Sequence, residues 1–128
     1  MKELKVSATQ AASRFLSRRG YDILATSWKS KAGTADIVAK DGEALVFVKV
    51  RARSGAESGF PSERRDAAER TERELVALAY LAEYDVVDVP VRFDDIGMVA
   101  IAPDRAMIRH HINSMCEELS DRALPEAA

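Results

Sequence analysis

The chain has 128 residues, 47% hydrophobic and 31% charged, with a formal net charge of -2 and a pI near 5.7. That length predicts one core and no second domain, and the slightly acidic balance argues against a general nucleic-acid coat protein, whose affinity rests on a strongly basic surface. The single cysteine, Cys116, excludes an intrachain disulfide and cannot by itself build a thiolate metal site, so a buried, inert thiol in a reducing cytoplasm is expected. The opening MKELKVSATQ lacks the apolar region of a signal peptide, and no apolar run approaches the roughly 18 residues of a membrane span, so no membrane association is expected.

The first element is a helix from Ser7 to Arg19, opened by the capping-box pattern Ser7-x-x-Gln10 and closed at Gly20. Ala8, Ala11, Ala12, Phe15 and Leu16 recur at helical spacing as its buried stripe, while Arg14, Arg18 and Arg19 face water or a partner. Tyr21 to Trp28 is β-prone, and a polar turn ending at Gly33 leads to a strand from about Thr34 to Lys40. Asp41-Gly42 is a hairpin dipeptide, and Leu45 to Arg53 forms the third strand. Alternation puts Val46, Val48 and Val50 on one face of it and Leu45, Phe47, Lys49 and Arg51 on the other.

Ser54 to Phe60 has the composition of a mobile loop on a functional rim, and Pro61 suits the first turn of a helix from about Ser62 to Glu83. That helix is charged at first and apolar later, with Leu75, Leu78, Ala79 and Ala82 at core spacing. Its arginines alternate with acids, which predicts a solvated, salt-laced face. Val87, Val89, Val91 and Phe93 alternate as a fourth strand, Asp94-Asp95 marks a break, and Ile96 to Ile101 makes a fifth. Pro103-Asp104 opens a final helix marked by Ile108, Ile112 and Met115. Residues 1–119 are therefore one domain and 120–128 a frayed tail. The order predicts an α/β fold, a mixed sheet of about five strands with helices on both faces.

Gly33-x-x-Asp36-Ile37-Val38-Ala39, Val46-Phe47-Val48-x-Val50-x-x-Arg53, Ala79-Tyr80-Leu81 and Val91-Arg92-Phe93-Asp94, with the Ala-rich first helix and Gly20-Tyr21-Asp22-Ile23-Leu24, stand in a telling order. Across roughly Ala8 to Met115 they make the chain resemble the small bacterial YraN-like proteins of the PD-(D/E)xK restriction-endonuclease-like superfamily. The resemblance implies that fold and a magnesium- or manganese-dependent nuclease ancestry. It also implies an acid in the first helix, Gly-Glu-Ile-Asp on the second strand, Glu-Val-Lys on the third and a lysine in the second helix. In this sequence those positions fall on Thr9, on Thr34 and Asp36, on Lys49-Val50-Arg51, and near Glu69. Of the acids only Asp36 is kept.

Magnesium takes hard oxygen ligands, and a metal so held activates water and stabilises the leaving oxygen. With Asp36 as the sole acid and Lys49 in place of the other carboxylate, a cation has little reason to bind, and Lys49 would satisfy Asp36 itself. Arg51 is a poor stand-in for a lysine that exchanges a proton, because guanidinium stays protonated. Lys49, Arg51 and Arg53 form instead a candidate phosphate cradle. Asp36 is expected as a structural acid paired with Lys49 or Arg51, and Lys49 with Glu69 as a charge-reversed form of the family's glutamate and lysine. His110 and His111 adjoin on the expected helix and point apart, which excludes a shared metal.

The sequence therefore predicts a nuclease-fold protein with a decayed metal site, no cofactor, and DNA or RNA as partner through Lys49, Arg51 and Arg53. Two other classes stand beside it. One is an active metal-dependent nuclease, with Asp36, Lys49 and Arg51 as a degenerate catalytic motif and acids moved in from Glu43, Glu57 or Glu69. The other is an interaction module, such as a homodimer, that binds no nucleic acid.

Overall fold

A computed structural model describes residues 2–55, 59–61 and 66–115. The elements run α1 Lys2–Arg18, β1 Asp22–Ser30, β2 Gly33–Asp41, β3 Ala44–Ser54, α2 Ala67–Glu83, β4 Val91–Ala102 and β5 Arg105–His111. The strands lie in the order β1-β2-β3-β4-β5. All neighbours are antiparallel except β3 and β4. A parallel pair needs a crossover, and α2 supplies it. This mixed sheet flanked by helices is the α/β, restriction-endonuclease-like arrangement that the sequence predicts. Expectations for Cys116, for Glu57, for a helix start at Ser62 and for a tail at 120–128 lie outside the described residues.

The helices cover opposite faces. Ala8, Ala12 and Leu16 of α1 pack on Ile37, Val46, Val48, Val50, Ile96 and Met98. Val76, Ala77 and Tyr80 of α2 pack on Val38, Leu45 and Phe47, with Trp28 and Phe93 alongside. Burying these aliphatic and aromatic side chains is the main favourable term in folding, and β3 divides them as its alternation requires. Gly20, at φ 94°, ends α1. Its N–H bonds the Ser17 carbonyl at 3.0 Å and that of Tyr21 bonds the Leu16 carbonyl at 3.0 Å, a Schellman motif.

Several elements depart from the sequence-based expectation. α1 begins at Lys2 rather than at a Ser7 cap; Lys, Glu and Leu are strong helix formers, and Ser7 sits exposed inside the helix. α2 begins at Ala67, where the Asp66 carboxylate accepts from the Glu69 N–H at 2.8 Å. Pro61 lies before it, beneath Gly97, rather than in its first turn. The face of α2 turned to the sheet is Val76, Ala77 and Tyr80, while Leu75, Leu78 and Ala82 are exposed.

The supposed fourth and fifth strands are one strand, β4, that runs unbroken through Asp94-Asp95, and Val87 and Val89 belong to the connection before it. The expected last helix is the strand β5, paired with β4 from Ala102↔Arg105 to Asp95↔His111. Pro103-Asp104 is a two-residue hairpin turn. Ladder hydrogen bonds to β4 override the helical propensity of Arg105, Ala106 and Met107.

One feature of the sheet positions the site. β2 and β3 pair from Asp41↔Ala44 only as far as Ile37↔Val48. β2 goes on with β1 to Ser30↔Gly33, and β3 goes on with β4 to Ser54↔Ala100. The two middle strands therefore fork beyond Ile37 and Val48.

Candidate functional site at the fork

A forked sheet leaves backbone groups without ladder partners, and buried N–H and C=O groups must find others. Val50 is two residues past the last β2–β3 pair. Its N–H donates to Asp36 Oδ2 at 2.8 Å, and its carbonyl accepts from Lys5 Nζ at 2.8 Å. Lys5 Nζ also lies 3.2 Å from Asp36 Oδ2, while Lys49 Nζ is 4.0 Å from it. Asp36 is buried. Its oxygens are thus paired within the fold, and the nearer ammonium comes from α1 and not from Lys49.

Lys49 and Arg51 project from the same face of β3, and their surroundings differ. The Arg51 guanidinium is held by Glu69 of α2 and Asp95 of β4. Asp95 also accepts from Arg73 Nη1 at 2.8 Å and from the Ser114 hydroxyl at 2.7 Å. Arg73 spans to the Asp94 carbonyl with its other nitrogen at 3.0 Å and lies over the Phe93 ring. Burial pushes the Asp95 carboxyl up, and Arg73, Ser114 and Arg51 more than reverse this, holding it below the usual carboxylate range. Glu69 therefore pairs with Arg51 rather than with Lys49, and Arg73 turns inward from the helix face that was expected to be solvated.

Asp94, on the opposite face of β4, organises a second cluster. It accepts from Arg92 Nε at 3.0 Å, from the Asn113 N–H at 2.9 Å and from His110 Nε2 at 2.9 Å. Arg92 reaches on to Asp41 at 2.9 Å and to the Tyr21 hydroxyl at 2.7 Å. Burial raises the Asp94 carboxyl, and the hydrogen bonds from His110, Arg92 and Asn113 outweigh it and lower it overall. Burial next to Asp94 raises the Tyr21 phenol. His110 and His111 are adjacent on a strand, so they face opposite sides of the sheet.

Two cavities open at the fork. A tight one of about 40 Å³ lies under α2, lined by Asp36, Lys49, Glu69, Glu72 and Arg73 among others. A wider one of about 270 Å³ is lined by Leu4, Lys5, Lys49, Val50, Arg51 and Ala52. Of the acids considered as migrants into the site, Glu69 lines the tight cavity; Glu43 sits at the β2–β3 turn. Thr34 lines the same cavity without a carboxylate, and Thr9 is buried on α1. A divalent ion does not fit these residues. The Asp36 and Val50 oxygens already share an ammonium, a second ammonium, that of Lys49, lies 4.0 Å from Asp36, and among the described residues no three carboxylate, imidazole or thiol groups converge.

The structure brings Asp36, Lys49 and Arg51 to the fork, together with Lys5, Arg73 and Asp95, which the sequence reading did not include. Lys5 precedes Thr9 by one helical turn, on the same face; starting the helix at Ser7 hid it. Arg53, on β3 beyond Arg51, is part-buried. No helix among the described residues is long and apolar enough to cross a membrane.

Residues 8–98 match the Uncharacterised protein family UPF0102. A UPF0102 protein of Roseiflexus castenholzii is 40% identical over 77% of this chain and 82% of its own length. One of Geobacter sulfurreducens is 34% identical over 88% of both, and one of Symbiobacterium thermophilum is 40% identical over 66% of this chain and 72% of its own. With the family match spanning both sides of the fork, the chain belongs to the UPF0102 (YraN-like) family, which has a PD-(D/E)xK nuclease-like fold.

Proposed function

We propose that this chain is a non-catalytic, nucleic-acid-associated protein that holds a phosphodiester at the mouth of the fork. The observation that carries the reading is the 270 Å³ cavity in which Lys5 and Lys49 line one opening with Arg51 at its wall. The Lys49 side chain is 35% exposed and that of Lys5 42%, so both ammoniums are reachable from solvent. An ammonium carries three donors, and phosphate oxygens are good acceptors for them. Arg51, committed to Glu69 and Asp95, shapes the wall, and Lys49 and Arg53 make the contact from β3. The same substitutions that supply cations remove the carboxylates on which metal-assisted hydrolysis depends.

The test is fluorescence anisotropy with labelled single-stranded, duplex and branched DNA and with RNA, at several salt concentrations. Affinity falls as salt rises, and Lys49→Ala weakens it while lowering the salt slope by about one. Absence of binding at low salt, or binding that ignores salt, overturns the reading. The nuclease alternative is checked in the same samples: cleavage with Mg²⁺ or Mn²⁺ that stops in Asp36→Ala establishes it.

A second reading, a homodimeric interaction module, is favoured by α2, where Leu75 and Leu78 are 49% and 59% exposed. Sedimentation of the wild type and of Leu78→Lys decides it: a dimer that the substitution dissociates supports it, and a monomer removes it.

A further inference from the structure

At the fork, Asp36 Oδ2 and the Val50 carbonyl oxygen meet a single cation. Lys5 Nζ stands 3.2 Å from the first and 2.8 Å from the second, closer than Lys49 Nζ at 4.0 Å from Asp36. A buried carboxylate oxygen beside a main-chain carbonyl is a hard-oxygen environment of the kind that magnesium and manganese take. An ammonium satisfies the same oxygens with one charge and without octahedral demands.

We propose that the Lys5 ammonium is the resident cation of this oxygen pair. The chain has converted a divalent-cation site into an internal link between α1 and β3, and the site regains divalent affinity when Lys5 is removed and a carboxylate is restored at position 49. This inference stands whether or not the chain binds nucleic acid.

Three observations support it. Lys5 and Thr9 are one turn apart on one face of α1, so the ammonium enters beside the position where the family resemblance places an acid. Asp36 is 6% exposed, and a buried carboxylate demands a counter-charge. The demand is local, because Arg51 and Arg73 are spent on Glu69 and Asp95, while Lys5 and Lys49 stand 3.2 and 4.0 Å from Asp36. Replacing Lys49 alone therefore leaves the oxygen pair filled by Lys5.

The test is calorimetric titration of Mn²⁺ into the wild type, Lys49→Glu, Lys5→Ala/Lys49→Glu, and that double variant with Asp36→Asn. The double variant is expected to bind one ion saturably, at least about tenfold tighter than Lys49→Glu, because a like charge within ~4 Å opposes a divalent ion. Adding Asp36→Asn abolishes this binding. Lys49→Glu binding as tightly as the double variant overturns the proposal, as does a double variant that melts like the wild type yet binds nothing. Should the double variant not fold, Mn²⁺ titrations of the wild type and of Lys5→Ala/Lys49→Gln decide: broadening of the Asp36 and Val50 amide NMR signals in the wild type, or none in the variant, overturns the proposal, and sharp wild-type amides with broadening in the variant support it.

Discussion

Asp94 and Asp95 are consecutive on β4 and are buried on opposite faces of the sheet, 0% and 1% exposed. Alternation along a strand makes that geometry unavoidable. Each carboxylate then gathers its own donors. Asp94 ties Arg92, His110 and the Asn113 N–H together on the α1 side, and Asp95 ties Arg51 of β3, Arg73 of α2 and Ser114 on the other. Together they fasten β3, α2 and the chain beyond β5 to β4.

Asp95→Ala is expected to destabilise the fold by about 3–5 kcal/mol, because it strands two inward-turned guanidiniums without their shared carboxylate. Urea unfolding followed by circular dichroism measures this. Loss of less than about 1 kcal/mol would mean that Arg51 and Arg73 are satisfied elsewhere.

The pH dependence follows from the same pair. Both carboxyls are lowered in the folded state, so the unfolded chain binds protons more readily than the native one. The stability they contribute is fully present above the unfolded aspartate value of about 4 and is lost as pH falls through the lower folded values. Melting temperature is therefore expected to drop below about pH 4, and an Asp95→Asn variant, already less stable at neutral pH, is expected to show a shallower drop. A wild-type curve that is flat through that range contradicts the assignment.

Asp36 closes the fork by capping Val50. Asp36→Ala leaves that N–H unpaired and the Lys5 ammonium short of its counter-charge, for a cost of about 1–3 kcal/mol. Amide exchange localises the effect. Val50 should exchange faster in the variant, while Val46, inside the paired part of the hairpin with Ala39, should be unchanged.

Gly33 begins β2 with φ 146°, and a Cβ placed there would come within 2.5 Å of Glu72 Oε2. Gly33→Ala is expected to lose about 1–2 kcal/mol, mainly from backbone strain. The Glu72 carboxylate can swing away, whereas the Cγ2 of buried Val76, 3.2 Å from that Cβ, has to give by a few tenths of an ångström. Gly33→Ala/Glu72→Ala should then recover only a minor part of the lost stability; full recovery would assign the whole cost to the contact.

Much of the fold was legible locally. The β3 alternation and the Gly20 stop are short-range signals present as read, and the hairpin is there one residue on, with Asp41 ending β2 against Ala44 and Gly42-Glu43 as the turn. The last segment misled because Ile108, Ile112 and Met115 recur at helical spacing. Of the three only Ile108 lies on the edge strand, packed against the α1-side core, while Ile112 is exposed and Met115 is buried in the turn beyond β5. α2 misled for a related reason. The stripe facing the sheet is Glu69, Arg73, Val76, Ala77 and Tyr80, polar over Arg51 and Asp95 and apolar over Phe47. A search for a purely apolar face chose Leu75 and Leu78, one position aside.

By itself the sequence determined the charges at the fork: Lys49 and Arg51 are cations wherever they stand, and Asp36 is an acid. Only the tertiary structure decided which cation meets which acid. Ion pairs form between groups that the fold brings within a few ångströms, and Lys5 lies 31 residues before Asp36 while Arg51 and Asp95 lie 44 apart. Such separations carry no periodic signal. The fork in the sheet leaves Val50, paired with Ile96 on its β4 side, without a ladder partner on its β2 side, and that unmet backbone demand draws Asp36 and Lys5 together.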